Sequence, residues 1–191
     1  MRLRTVLLLP LALASLVLSA AAAPVDSVVK SVTGDVQAAP PGGSFSSISA
    51  GQKLKAGTTI KTGAGGQAVV CVTPGAATRI DENTTVTLDD MEFSKNAGDI
   101  TRRKATLDLK SGTVSSLIDH STPDVTDFTV QTPQGAAAAR GTFYAVTVKD
   151  GNTFYKVQEG KVGVSAKDDT AKKKSATPPV KDNAPKPALP A

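Results

Sequence analysis

Short runs of Val, Thr, Ile and aromatic residues recur through the middle of the chain, and many alternate apolar with polar positions. Successive side chains of a strand point to opposite faces, so alternation marks a pleated segment with one buried side. Leu107 and Leu109 flank Asp108, and Phe128 and Val130 flank Thr129. Tyr144, Val146 and Val148 share one parity, as do Tyr155 with Val157 and Val162 with Val164. These residues are the expected core. The pattern predicts strands over Val28–Val32, Asp35–Ala38, Thr58–Thr62, Gln67–Thr73, Thr84–Leu88, Ala105–Lys110, Thr113–Ile118, Phe128–Thr132, Thr142–Lys149, Thr153–Gln158 and Lys161–Ser165. Short strands spaced about ten residues apart, with turn residues between, describe an all-β domain.

The expected turns fall at Thr33-Gly34, Ala56-Gly57, Gly63-Ala64-Gly65-Gly66, Pro74-Gly75, Ser111-Gly112, Asp150-Gly151 and Glu159-Gly160. Asp150-Gly151 is the sharpest hairpin signal, because both central residues of such a turn must accept positive φ. Helix signals are weak. Glu92–Arg103 reads as a short turn or a mobile loop, and Asp119–Asp127 as a loop. Ala136–Ala139 has helical propensity, but Pro133, Gly135 and Gly141 leave it little room.

The two ends differ from the middle. Met1-Arg2-Leu3-Arg4 is positive, Thr5 to Leu18 is apolar, and Ser19 to Ala23 are small. Residues 1–22 therefore read as a signal peptide cleaved near Ala22–Ala23, with a retained membrane anchor as the alternative. Residues 23–166 form the expected β domain. From Lys167 onward Lys, Ala, Asp, Ser and Pro alternate with almost no large apolar groups. Such a composition cannot bury enough surface to offset its ordering entropy, so 167–191 is an expected disordered tail. After signal cleavage no transmembrane span is expected, which makes the product periplasmic or secreted.

Charge sharpens this division. The chain has 22 basic and 17 acidic residues, a net charge of +5. Setting aside Arg2 and Arg4, and the six Lys and three Asp of the tail, leaves 14 of each sign. The neutral middle lacks the footprint of a nucleic-acid binder.

Chemistry is sparse. Cys71, the single cysteine, lies in a strand-like run and reads as a buried, inert thiol. His120 is the single histidine, and its neighbours make no geometric case for a catalytic triad. There is no cysteine–histidine metal cluster and no phosphate-binding loop in the sequence. The acidic groups Asp81-Glu82 and Asp89-Asp90 with Glu92 read as exposed turns, and Arg102-Arg103-Lys104 as the solvated start of a strand. No catalytic residue, cofactor or metal is expected. Seven Phe and Tyr residues without Trp argue against a stacked-ring glycan platform.

One ordered series of segments remains. Gly34-Asp35-Val36 opens it. Ala50-Gly51-Gln52-Lys53-Leu54 and Ala56-Gly57-Thr58-Thr59-Ile60-Lys61-Thr62 follow, then Leu107-Asp108-Leu109-Lys110-Ser111-Gly112-Thr113-Val114. Phe128-Thr129-Val130-Gln131-Thr132-Pro133, Ala139-Arg140-Gly141-Thr142 and Val157-Gln158-Glu159-Gly160-Lys161-Val162 complete it. The series resembles the FecR domain family over roughly Val29 to Val164. The resemblance implies an all-β extracytoplasmic domain, either a solenoid-like stack or a flattened barrel of short strands. Members of that family include anti-sigma regulators that relay iron-uptake signals through the inner membrane. The sequence shows neither their cytoplasmic sigma-binding segment nor their internal membrane helix. The expectation is therefore a stand-alone exported, non-enzymatic interaction module for an envelope protein partner. Binding of a cell-wall glycan or another extracellular polymer is the alternative.

Arg140, Gly141 and Thr142 are the residues singled out. They read as a structural turn, in which Gly141 supplies an unusual backbone angle and Arg140 pairs with a carboxylate or carbonyl. The other reading is self-cleavage, in which the Thr142 hydroxyl attacks the preceding carbonyl of a strained peptide. Some regulators of the family resemble self-processing proteins at this pair.

Overall fold

A computed structural model describes residues 23–167; the expected signal peptide and the tail beyond Lys167 lie outside the described residues. The strands are β1 (Ala23–Pro24), β2 (Ser27–Thr33), β3 (Val36–Ala39), β4 (Ser46–Ser47), β5 (Lys53–Leu54), β6 (Thr58–Thr62), β7 (Gln67–Thr73) and β8 (Ala76–Ile80). Then come β9 (Thr85–Asn96), β10 (Asp99–Ile118), β11 (Thr126–Thr132), β12 (Gly135–Ala139), β13 (Phe143–Lys149), β14 (Asn152–Glu159) and β15 (Val162–Ala166). One 3-10 turn, Pro123–Val125, precedes β11. The chain is all-β, and of the two expected forms it takes the flattened barrel.

Two sheets share one long strand. The first runs β4-β3-β6-β9-β10-β11-β12-β15, with β1 beside β6 on the edge of β9. The second runs β5-β2-β7-β8-β10-β13-β14. The β10–β11 pair is parallel; the others are antiparallel. β10 pairs β9 up to Ser111 in the first sheet, and β8 and β13 from Gly112 onward in the second. The inner faces of both sheets supply one core. Leu107, Leu109, Phe128 and Val130 come from the first sheet, and Val70, Val114, Tyr144 and Val146 from the second. Phe128 meets Tyr144 edge-on, with ring centroids 6.5 Å apart and planes at 86°.

Gly112 is the crease. Its φ is +86°, and a Cβ there would lie 2.2 Å from Thr84 Oγ1 and 2.5 Å from Thr84 Cα. The Thr113 N–H donates to the Thr84 hydroxyl oxygen at 2.9 Å, filling the notch. Ser111-Gly112, expected to be a turn between two strands, is therefore a bend inside one. The bend brings together residues that a straight strand would hold about 50 Å apart. The Arg103 guanidinium donates to the Asp119 carbonyl at 3.3 Å and to Thr126 Oγ1 at 3.2 Å, and lies 3.6 Å from the Asp119 carboxylate. Arg103 is 2% exposed, not solvated as its basic neighbourhood implied. It clasps the two halves of β10 at the end opposite the crease.

Other departures have local causes. Glu92–Arg103 is neither short turn nor loop: β9 and β10 extend into a ribbon closed at Ala97-Gly98, with φ of +49° and +98°. An alanine in that backbone region gives no turn signal. Ala136–Ala139 is extended because β11 and β15 flank β12 on both sides. β8 was hidden by its short Ala-Ala-Thr-Arg-Ile composition. Asp150-Gly151 is the expected hairpin, with φ of +50° and +74°.

Candidate interaction site at an open seam

The two long sides of the flattened barrel are treated differently. On one side, residues 46–54 cross from β4 on the first sheet to β5 on the second. Ile48 and Leu54 are buried there, the Ile48 N–H donates to the Val36 carbonyl at 3.2 Å, and the Gly51 N–H to the Val29 carbonyl at 2.8 Å. That side is closed.

The other side is bounded by β14 and β15, each paired along one edge only. Register fixes which way their side chains face. Val157 is opposite buried Tyr144, and Val164 is opposite buried Ala137, so both point inward. Yet Val157 is 45% exposed and Val164 is 55% exposed. Tyr155 and Val162 are partly buried against the core. The alternation therefore gave the correct facing for these four residues, but not their expected burial, because edge strands have a neighbour on one side alone. Two free backbone edges and two inward valines define an open seam. Unpaired strand edges are templates for another strand.

The seam is stitched at both ends. At one end the Gln134 side chain donates to the Gly151 carbonyl at 2.7 Å, and Thr153 Oγ1 donates to Gln134 Oε1 at 2.5 Å. The Lys167 N–H donates to the Gln134 carbonyl at 2.8 Å. At the other end lie Arg140, Gly141 and Thr142. Gly141 has φ +83°, the unusual backbone angle expected of it, and a Cβ there would come 2.5 Å from His120 Cα. Thr142 is 3% exposed, and its hydroxyl donates to the Lys161 carbonyl at 3.2 Å, tying β13 to the link before β15. The Ile118 N–H donates to the Thr142 carbonyl at 3.0 Å. Arg140 departs from expectation: it is exposed and forms no ion pair among the described residues. It shares a hollow of about 490 Å³ with Asp127, Lys161 and Gly163.

The remaining sequence candidates sit elsewhere. His120 is exposed on the loop after β10. Cys71 is half-buried, and its Sγ donates to the Thr73 carbonyl at 3.3 Å. Asp119 forms a local turn with Ser121, whose N–H and hydroxyl hold its carboxyl below the ordinary range; the Arg103 charge adds a smaller pull in the same direction. Among the described residues no helix is long and apolar enough to cross a membrane. Sequence reasoning missed Gln134 and Lys161 as seam residues. Their signal was faint: a polar residue before an alanine run, and lysines at both ends of a short Val-Gly-Val strand.

The described residues thus form an all-β flattened barrel with one unclosed edge, and a family model identifies the family of the chain. The family model described as FecR protein matches residues 58–163, more than half of the 191 residues. The chain belongs to the FecR family. No curated protein matches it. A solved structure, described as that of a candidate anti-sigma factor from Parabacteroides distasonis, is similar with 16% identity and a TM-score of 0.44; the match covers 58% of this chain and 48% of that one. The chain thus spans about half the length of that structure. The family match starts at Thr58 and leaves out β2 to β5, which nevertheless complete both sheets.

Proposed function

We propose that this chain is an exported, non-enzymatic regulatory module of the FecR type that works by binding a protein of the cell envelope. Its place is the periplasm or the exterior, consistent with the signal-like residues 1–22. Membership of a family of regulatory proteins supports the class. The observation that carries the mode of action is the seam: inward-facing Val157 and Val164 remain exposed on two strands with free edges. Strand addition satisfies such an edge through backbone hydrogen bonds and covers the valines with alternate side chains.

A photo-crosslinking residue in place of Val157 or Val164, in cells, tests this reading. The expected result is a discrete protein adduct that is absent when the same group replaces Lys30 on the opposite side of the fold. Crosslinks to wall material without a protein adduct would refute it.

A second reading has its own observation. A groove of about 360 Å³ on the second sheet is lined by Phe143 with Ser115, Thr147, Lys156 and Gln158, and exposed Phe154 lies opposite Thr147 in the register. Aromatic rings beside hydrogen-bonding groups suit a glycan. Retention of the protein by isolated cell wall, lost on Phe143→Ala with Phe154→Ala, would support that use.

A further inference from the structure

Resting on the interaction-module reading, we propose that β15 is the edge that pairs, and that its partner is an extended segment with an acidic residue at each end and an apolar residue midway. The outer face of β12 and β15 carries the argument. Ala138 lies opposite Gly163, and Ala136 opposite Ser165, so the floor is made of small side chains. Continuing the same ladder sets Arg140 beside Lys161 at one end and Gln134 beside Lys167 at the other. The Gln134–Lys167 backbone bond shows that the ladder does continue. Lys161 lines the 490 Å³ hollow and Lys167 lines another of about 200 Å³. Arg140, Lys161 and Lys167 form no ion pair among the described residues. Adjacent like charges across a ladder are destabilising unless something opposes them. The acid in the larger hollow, Asp127, accepts a hydrogen bond from Thr129 at 3.4 Å and pairs with neither cation.

Charge also decides against a second copy of this chain. Antiparallel self-pairing over the whole of β15 would set Lys161 opposite Lys167 of the other copy, at both ends. The β14 edge is less selective, since it carries Lys156 and Glu159 together.

Spacing turns this surface into a pattern. Lys161 and Lys167 are six residues apart, about 20 Å along a strand. They share the outer parity, and Val164, midway, has the inner one. The matching partner is acid-x-x-apolar-x-x-acid in extended form: the apolar side chain covers Val164 and the acids reach the cations. Gly163 leaves room over the floor, because a Cβ there would meet nothing nearer than the Ala138 carbonyl oxygen at 3.9 Å.

The probe is a labelled synthetic peptide, Ser-Glu-Thr-Thr-Val-Thr-Thr-Glu-Ser, titrated into the full mature chain and followed by anisotropy and backbone amide NMR. Controls carry Lys for both Glu, or Pro for the central Val. The expected result is binding that weakens with salt, amide shifts centred on Val162–Ala166, and no binding of the Pro peptide. Arg140→Glu with Lys161→Glu should weaken binding at least about tenfold. Equal binding of the Lys peptide, shifts confined to β14, or no binding at millimolar Glu peptide would overturn the inference. In those cases a protein adduct from Val157 or Val164 that survives Arg140→Glu with Lys161→Glu leaves the module reading intact, and absence of any protein adduct removes that reading separately.

Discussion

Replacing Arg103 tests whether the fold of β10 depends on the clasp opposite its crease. The guanidinium makes two hydrogen bonds, to the Asp119 carbonyl and to Thr126 Oγ1, while its Nε has no partner. Each bond contributes about 1 kcal/mol net, and the buried Nε offsets about as much. The ion pair contributes little: it is 3.6 Å long and the Asp119 side chain is 42% exposed, which puts it in the range of surface pairs, about 0–1 kcal/mol. Packing of the aliphatic stem therefore outweighs the ion pair, at about 1–2 kcal/mol. Thr126 keeps its own acceptor, the Thr122 carbonyl at 2.7 Å, so truncation strands only the Asp119 carbonyl.

Together these interactions predict a loss of about 2–4 kcal/mol for Arg103→Ala and about 1–2 kcal/mol for Arg103→Met, which keeps most of the stem. Asp119→Asn should lose under about 1 kcal/mol. Urea unfolding of the three variants, and of the doubles with Asp119→Asn, gives the differences from midpoints at unchanged slope. A coupling above about 1.5 kcal/mol between Arg103 and Asp119 would refute the ranking and make the ion pair the dominant interaction. A loss below about 1 kcal/mol for Arg103→Ala would refute the clasp itself.

Other positions give sharper signs. Gly112→Ala should destabilise by about 3 kcal/mol or more, since it combines a left-handed φ with overlap on Thr84 Cα; a change below about 1 kcal/mol would mean the crease is not rigid. Tyr144→Phe should be neutral or stabilising by about 1 kcal/mol, because the buried hydroxyl has no partner. Burial also pushes the Tyr144 pKa up from 10.0, so its neutral form stabilises the fold below that pH, and stability falls as pH rises further. Tyr144→Phe should reduce that alkaline loss in unfolding measured at pH values on either side. Mass spectrometry of stored protein should find the Gly141–Thr142 bond intact; fragments meeting there, abolished by Thr142→Ala, would establish self-cleavage instead. Thr142→Ala should also cost about 1–2 kcal/mol, by stranding the Lys161 carbonyl.

The inner faces were legible because alternation is a local property. Leu107, Leu109, Phe128, Val130, Tyr144, Val146 and Val148 all point inward and are buried. What alternation cannot carry is the number of neighbours a strand acquires. Val157 and Val164 obey the same parity as Val146, but their strands lie at sheet edges, and that is a consequence of chain order in space. Gly112 shows the same limit. A glycine between two Leu/Val runs reads as a turn, and only the pairing of Leu109 with Val86 and of Val114 with Ile80 reveals one strand crossing between sheets. Arg103 was misread because a basic triplet looks solvated; it is buried among residues distant in sequence, Gly75, Asp119 and Thr126, that only the fold brings to it. The Arg140-Gly141-Thr142 segment stands out in the sequence, but its neighbour Lys161 is reached only through the β12–β15 ladder.

The exposed valines set a limit on what the seam can do alone. Burying a whole valine side chain contributes about 1.5–2 kcal/mol, so covering the exposed halves of Val157 and Val164 gives roughly 2 kcal/mol together. Even a millimolar complex requires about 4 kcal/mol, and association carries its own loss of freedom. Apolar contact therefore cannot hold a partner by itself. Backbone bonds along β14 or β15 supply affinity to any strand without discrimination, since every residue but proline offers the same groups. Discrimination must then come from side chains at fixed spacing. At this seam the charged groups at fixed spacing on one edge are Lys161 and Lys167, with Arg140 beside the first. On the binding role proposed above, the contact should consequently be weak and reversible, with a preference that falls as salt rises.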